Sequence, residues 1–398
     1  MNLLPRNDAL RAQLHNEVHA RPSARIRLPA FILLVGVYNE GISREQECAH
    51  LQKLDPDLTL QDVQGNFVRM RLDDCTVKWE RHNEFTRYSL VQPMPEGADL
   101  GAHDPDLLSH LMLPEGWLAS IPGCTFSAIE LVMLEGELDV PQHALDQART
   151  WFGKHPVIAS CMGTPAHSMV VTDFQLRDSG FERIVVVAPQ GTSKERAGRI
   201  SQRLLELETY RLMALRGLPV AKLVGAQLGQ SEKELADIID TLEQKGGNDQ
   251  ALLTRLVGLA AAVERMTAEH AFRFSATAAY DKLVNERIAE LRESPISGTQ
   301  TIGEFMKRRL SPAMSTVASS AQRLASLSER ISRASALLRT RVDIATEAQN
   351  RMLLEKLTKG QALQLRLQAT VEGLSIAAIS YYVVSLLLYA GKAAKVQA

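Results

Sequence analysis

One stretch near the end of the chain limits what the whole can be. Gly373–Gly391 (GLSIAAISYYVVSLLLYAG) contains no charged residue, although Glu372 precedes it and Lys392 follows it. As a helix rising about 1.5 Å per residue it would be roughly 28 Å long, close to the ~30 Å hydrocarbon core of a bilayer. The expected element is therefore a transmembrane helix; the competing reading is a buried C-terminal core helix. Tyr381 and Tyr382 fall at its middle, whereas aromatic residues in spans gather at the two interfaces. A phenol facing lipid tails would lack a hydrogen-bond partner, at a cost of a few kcal/mol. Ser375, Ser380 and Ser385 add hydroxyls, and Gly373 with Ala377 form a small-xxx-small pair that permits close approach. One face of this helix is thus expected to pack against protein, in a bundle of such helices.

A chain of 398 residues is long enough for two or three domains. Its net charge of −1 hides an asymmetry. Residues 299–370 carry twelve Lys or Arg against five Asp or Glu, while residues 1–298 are acidic overall. A basic stretch immediately before a span would be drawn to anionic lipid at about 1 kcal/mol per well-placed charge; a solvated coiled-coil face is the plainer reading. Nucleic acid is not expected as a partner, because the stretch lacks interleaved aromatics and no recognition module is present. Cys48, Cys75, Cys124 and Cys161 form no CxxC pair and read as reduced thiols. The N-terminus has no apolar core and no small-residue cleavage site, so it is not a secretory signal. The long N-terminal part is expected in the cytoplasm. Lys356, Lys359 and Arg366 agree with that under the positive-inside rule, and Lys392 and Lys395 weaken the bias.

Along the chain, the fold class expected is α+β: a mixed α/β sheet domain, then a helical domain, then a long helix running into one transmembrane helix. Residues 1–27 form an arm, with a short helix expected around Asp8–Val18. The sheet domain covers 28–190. Phe31–Tyr38 (FILLVGVY) is a continuous apolar run that suits a strand buried on both faces, and Ser43-x-x-Gln46 is a capping box opening a helix. From Asn66 to Gln92 the pattern has period two and predicts an antiparallel meander, with Asp73-Asp74 and His82-Asn83 at the bends. Pro93–Gly123 reads as a surface excursion with a short helix at Asp106–Met112. Thr125–Leu134, Val157–Cys161, His167–Asp173 and Arg183–Ala188 predict strands, and Pro141–Phe152 a helix.

Residues 191–298 predict a helical domain. Capping boxes are expected at Thr192-x-x-Glu195 and Ser231-x-x-Glu234, and Ile200, Leu204, Leu207 and Ala214 mark an apolar stripe. Gly217-Leu218-Pro219 breaks a helix, Lys245–Asn248 is a turn, and Ala251–Phe274 and Ala276–Glu293 are two further helices. Residues 299–370 form a long basic helix. In it Val317, Leu324, Ile331, Leu338, Ala345 and Met352 recur every seven residues, with Leu327, Ala334 and Ala348 in a partial second seam. A strict seven-residue repeat favours a left-handed supercoil, either between subunits or as packing within the chain. The span follows at 371–391 and a short tail at 392–398.

Residues that could carry chemistry are few. His15, Glu17 and His19 cluster: on a helix the two histidines share a face, and on a strand all three do, so either would suit a divalent metal such as zinc. The order is not HExxH, and a structural arm is the plainer reading. Lys78–Tyr88 (KWERHNEFTRY) offers an anion-binding face or, more plainly, cross-strand ion pairs on a solvated face. Gly191-Thr192-Ser193-Lys194 lacks the full GxxxxGK[ST] loop. No GxGxxG and no GxSxG is present, so no catalytic residue and no cofactor is assigned.

Several strings resemble a bacterial family described as predicted membrane-anchored proteins, a domain of unknown function. They are His15–Pro22 (HNEVHARP), Lys78–Tyr88, Arg203–Leu215 (RLLELETYRLMAL), Arg341–Leu354 (RVDIATEAQNRMLL) and Leu365–Tyr382 (LRLQATVEGLSIAAISYY). The resemblance implies anchoring in the inner membrane and no stated activity. The layout is more distantly similar to CorA-type magnesium channels, which lead a cytosolic α/β domain through a long helix into a pentameric membrane assembly. Those channels place Gly-Met-Asn after the first span, where this chain reads Tyr389-Ala390-Gly391-Lys392. The expectation is a non-enzymatic, single-pass, membrane-anchored homo-oligomer facing the cytoplasm. The alternatives are a CorA-like divalent cation transporter and a metal-dependent enzyme using the His pair.

Overall fold

A computed structural model describes residues 8–11, 14, 23–244 and 249–396. It divides into two compact units, one of Met1–Ala226 with Ala268–Arg323 and one of Gln227–Thr267 with Leu324–Ala398. The first unit holds a nine-stranded sheet of order β2-β3-β4-β1-β5-β8-β7-β6-β9. The strands are β1 (Ala30–Tyr38), β2 (Phe67–Arg71), β3 (Thr76–Arg81), β4 (Phe85–Pro93), β5 (Cys124–Glu135), β6 (Ile158–Met162), β7 (Ser168–Leu176), β8 (Glu182–Ala188) and β9 (Ser294–Pro295). Only the β5–β8 pair is parallel; the other neighbours run antiparallel.

The apolar run at Phe31 lies at the centre of this sheet for a physical reason. Alternate residues of a strand face opposite sides, and both sides are covered. Phe31, Leu33, Val35 and Val37 belong to one core with residues of α1 (Arg44–Leu51), α2 (Leu60–Gln64) and α3 (Pro141–Arg149). Ile32 and Leu34 belong to the other, with α4 (Lys194–Leu215), the last turns of α6 (Asp249–Leu291), α7 (Ile302–Arg309) and the start of α8 (Ser311–Val396). The capping box at Ser43 is present, and β2–β4 form the expected meander. The 93–123 excursion is not confined to the surface. Leu107, Trp117 and Ile121 enter the first core, and its expected helix shrinks to one 3₁₀ turn at Leu108–His110.

Three helix expectations are corrected. The cap of α4 is Ser193, whose hydroxyl accepts from the Arg196 amide at 3.3 Å. Thr192 donates its hydroxyl to the Pro189 carbonyl at 2.7 Å instead. Ser231 caps nothing: α5 (Gly217–Glu243) runs through it. The two helices expected over 251–293 are one, α6, because nothing between Phe274 and Ala276 breaks the hydrogen-bond ladder and propagation costs less than a new nucleus. The break at Gly217 stands; a Cβ there would collide with Thr277. The turn expected at Lys245–Asn248, and most of the helix expected at Asp8–Val18, lie outside the described residues.

Gly198 offers a direct test of the α4 packing. The segment before β1 crosses α4, with the Ile26 amide donating to the Lys194 carbonyl at 3.0 Å, and a Cβ on Gly198 would overlap the Ala24 carbonyl oxygen. Overpacking of this kind costs about 1–3 kcal/mol. Gly198→Ala is expected to lower the melting temperature, with the loss read by circular dichroism; an unchanged midpoint would show that the crossing segment yields freely.

Among the described residues the second unit's regular structure is all helix: the second half of α5, the first part of α6 and α8 from Leu324 onward. Its buried positions include Leu235, Ile238, Leu256, Leu259 and Val263, together with Leu324, Leu327, Ile331, Ala334 and Leu338 of the heptad seams. Arg341 closes this packing through an ion pair to Asp249 at 3.1 Å. Up to Leu338 the seven-residue repeat therefore serves packing within the chain. From Ala345 the same seam is exposed, Ala348 and Met352 included. The helix passes Gly360 unbroken.

Candidate functional site

The segment Gly373–Gly391 lies in α8, and Tyr381 and Tyr382 project from it 71% and 68% exposed. Leu374, Ile376, Ile379, Val383, Val384, Leu386, Leu387 and Leu388 are likewise exposed. Among the described residues none of this apolar stretch is buried, unlike a core helix. The helix is long and apolar enough to cross a membrane.

The first unit carries a cleft of about 770 Å³ between β6, β7, α4 and α7. Its shape depends on an irregularity in β7. The β7–β8 register shifts between Thr172 and Leu176, and Phe174 in the shifted segment has φ +51°. A bulky side chain rarely takes that left-handed backbone, so the position is strained, and such positions cluster at ligand sites. Two hydrogen bonds hold it: the Phe174 amide donates to Thr172 Oγ1 at 3.3 Å and the Gln175 amide to Asp173 Oδ1 at 3.1 Å. The turn brings the Phe174 ring onto Phe305 of α7, with centroids 4.9 Å apart and planes 11° apart. The Arg211 guanidinium lies 5.3 Å from the Phe174 centroid. The start of α7 is fixed by a Thr301/Glu304 capping box and by Glu293, which accepts from the Ile302 and Gly303 amides at 3.0 and 2.8 Å.

Behind Arg211 stand two buried carboxylates. Arg211 Nε donates to both Glu208 oxygens at 2.9 Å, and Nη2 reaches Glu182 at 3.4 Å. Burial first, then the charge and hydrogen bond of Glu208, push Glu182 up to about 9. Glu208 moves down: burial opposes its charge, and Arg211 outweighs burial. At neutral pH one proton is therefore held on Glu182. The cleft offers a stacked aromatic wall, the Arg211 and Arg309 guanidiniums and the Asp173 carboxylate, an arrangement suited to a flat ligand with polar ends.

This proton has a consequence for stability. The folded-state value for Glu182 lies above its ordinary value of 4.5, so between about pH 4.5 and 9 the folded chain binds more protons than the unfolded chain. The contribution of Glu182 to stability is full below that window and is lost as pH rises through it, by at most ~1.4 kcal/mol per pH unit. Glu182→Gln keeps the donated hydrogen bond and removes the titration. Its melting temperature is expected to exceed that of the parent by a margin that widens from pH 5 to pH 9; parallel melting curves across that range would refute the assignment.

Of the residues singled out in the sequence, His15, Glu17 and His19 lie outside the described residues. Among the described residues no group of three or more His, Cys, Asp or Glu side chains could hold a metal ion. In Lys78–Tyr88 the ion pairs form across strands, as the register partners Glu80 and Arg87 show at 3.0 Å, with Lys78 also 3.0 Å from Glu80. The face is buried, not solvated: Glu80 is 1% and Arg87 3% exposed. Burial opposes ionisation of Glu80, yet Arg87 and Lys78 hold it down at about 2. Glu182, Glu208 and Arg211 escaped the sequence reading. The available signal was Glu208, four residues after Leu204 and so on the apolar stripe of α4, where a carboxylate needs a buried partner.

These features define a class: a mixed α+β sheet protein that ends in a long helix apolar enough to span a bilayer. The chain belongs to the family described as Protein of unknown function (DUF3422), whose model matches residues 6–398. No curated protein and no solved structure matches it.

Proposed function

We propose that this chain is a membrane-anchored protein whose helix crosses the bilayer once over Gly373–Gly391, with the sheet-bearing part on the cytoplasmic side. One observation carries the reading. Eleven large apolar side chains between Leu374 and Tyr389 stand 52–75% exposed on an uncharged helix. Transferring them from water to an apolar medium is worth roughly 20 kcal/mol, and an apolar surface of this extent marks a membrane or protein contact. Lys356, Lys359 and Arg366 ahead of the span support the orientation. The role proposed is anchoring and binding, without a reaction.

Association of copies through the long helix has support of its own. Met352, Leu353, Leu354, Leu357, Leu363, Leu365 and Leu367 are exposed before the uncharged stretch begins, among charged residues that belong in water. A second copy is the natural cover for such a face. Two measurements test the proposal. Full-length protein is expected to sediment with membranes, resist an alkaline wash and dissolve in detergent; recovery in the aqueous supernatant would end the anchoring reading. In detergent its mass is expected to be a multiple of 43.9 kDa, and a monomer would end association.

A further inference from the structure

A second pocket in the sheet-bearing unit gathers four arginines. Arg196, Arg199 and Arg203 are spaced three and four apart on α4 and so share one face. Arg292 joins them just beyond α6, held at φ +50°, and the four line a pocket of about 310 Å³. The turn at Gly163 closes one side, with its amide donating to the Leu291 carbonyl at 2.9 Å. Glu290 is the sole carboxylate among the lining residues, and it is already engaged by Arg203 at 3.1 Å and Arg287 at 2.8 Å. Among the described residues the guanidiniums of Arg196, Arg199 and Arg292 have no ion-pair or hydrogen-bond partner.

A second observation at the same place points to a ligand. Ser168, the first residue of β7, lines this pocket and is 1% exposed. Its hydroxyl has no hydrogen-bond partner. An unpartnered buried hydroxyl costs stability, and like charges gathered in one pocket repel. A bound oxyanion removes both costs together, since it accepts from the hydroxyl and from several guanidiniums at once.

We propose that this pocket binds a phosphate-bearing anion through Arg196, Arg199 and Arg292, with the Ser168 hydroxyl donating from its floor. A phosphate fits this donor set better than a carboxylate, because its oxygens point in several directions and it carries up to two charges. The ligand is either a soluble phosphate ester or the headgroup of an anionic phospholipid. The site stands independently of the membrane reading.

The test uses full-length protein in uncharged detergent and inorganic phosphate as the probe, titrated against chloride at matched ionic strength. A saturable rise in melting temperature is expected. Arg196→Gln and Arg292→Gln are each expected to weaken phosphate by about tenfold or more while melting no lower than the parent without phosphate, because each relieves repulsion. Ser168→Ala, which removes a hydroxyl that bonds nothing in the fold, is expected to weaken phosphate several-fold without lowering the ligand-free melt. An absent or non-saturable response, or equal responses in parent and variants, would overturn the proposal. Phosphatidylcholine vesicles with and without phosphatidic acid identify the source. Competition by phosphatidic acid alone assigns a lipid headgroup; binding of phosphate without such competition assigns a soluble ester.

Discussion

Ile379→Lys combined with Val383→Lys will release the protein from the membrane fraction. Both residues lie near the middle of the uncharged helix, 62% and 52% exposed. On insertion scales a lysine at a helix centre costs about 2.5–3.5 kcal/mol, whereas each Leu, Ile or Val contributes only about −0.3 to −0.6. Two such charges therefore cost roughly 5–7 kcal/mol, more than the roughly 2–5 kcal/mol that the eight Leu, Ile and Val of the stretch contribute on that same insertion scale. Membrane-bound protein is expected to fall at least tenfold, while Ile379→Leu with Val383→Leu stays in the pellet. Retention of the double-lysine chain through an alkaline wash would mean that something other than this segment holds it. The result also separates anchoring from association, because the exposed leucines between 353 and 367 are untouched by the change.

Arg211→Met is expected to be the most damaging single substitution in the sheet-bearing unit. It removes the cation from two carboxylates, one of them fully buried, and breaking a buried pair from one side costs about 3–5 kcal/mol. The loss should depend on pH in a defined direction. Without Arg211 the pull that keeps Glu208 ionised is gone, so its carboxyl will titrate above its unfolded value. The folded variant then binds an extra proton, and its deficit relative to the parent grows as pH rises from about 5 to 9. Adding Glu208→Gln should restore a large part of the loss, because the uncompensated charge is then absent. Thermal melts of the four chains of this double-mutant cycle, at pH 5.5 and 8, supply the measurement. Equal deficits at the two pH values, or no rescue, would show that Arg211 acts through its packing on Phe174 instead.

The structure and the sequence agree where the governing physics is local. The alternation over 66–92 became β2, β3 and β4, because a two-residue period fits a pleated strand; the covering of its polar face over Glu80 and Arg87 is not part of that pattern. Ser43 and Gln46 cap each other, because a capping box needs only residues three apart. Ser231 has the same signature and caps nothing: α5 was already nucleated at Gly217, and continuing it costs less than stopping. The site was hardest to read for the complementary reason. Glu182 and Arg211 are 29 residues apart in the chain, and Arg196 and Arg292 are 96 apart. No spacing rule links them.

By itself the sequence determined most of the elements and a helix long and apolar enough to cross a membrane. An uncharged stretch of bilayer length, an eight-residue apolar run and a seven-residue repeat are properties of neighbours along the chain, and solvent preference acts on each directly. Tertiary structure decided the partners: β5 between β1 and β8, the inward use of the heptad seam as far as Leu338, and the meeting of Glu182, Glu208 and Arg211 in one hydrogen-bonded group. It also brought four arginines around Ser168. These depend on which surfaces meet, and that follows from filling two cores on either side of one sheet, not from the order of residues at any single place.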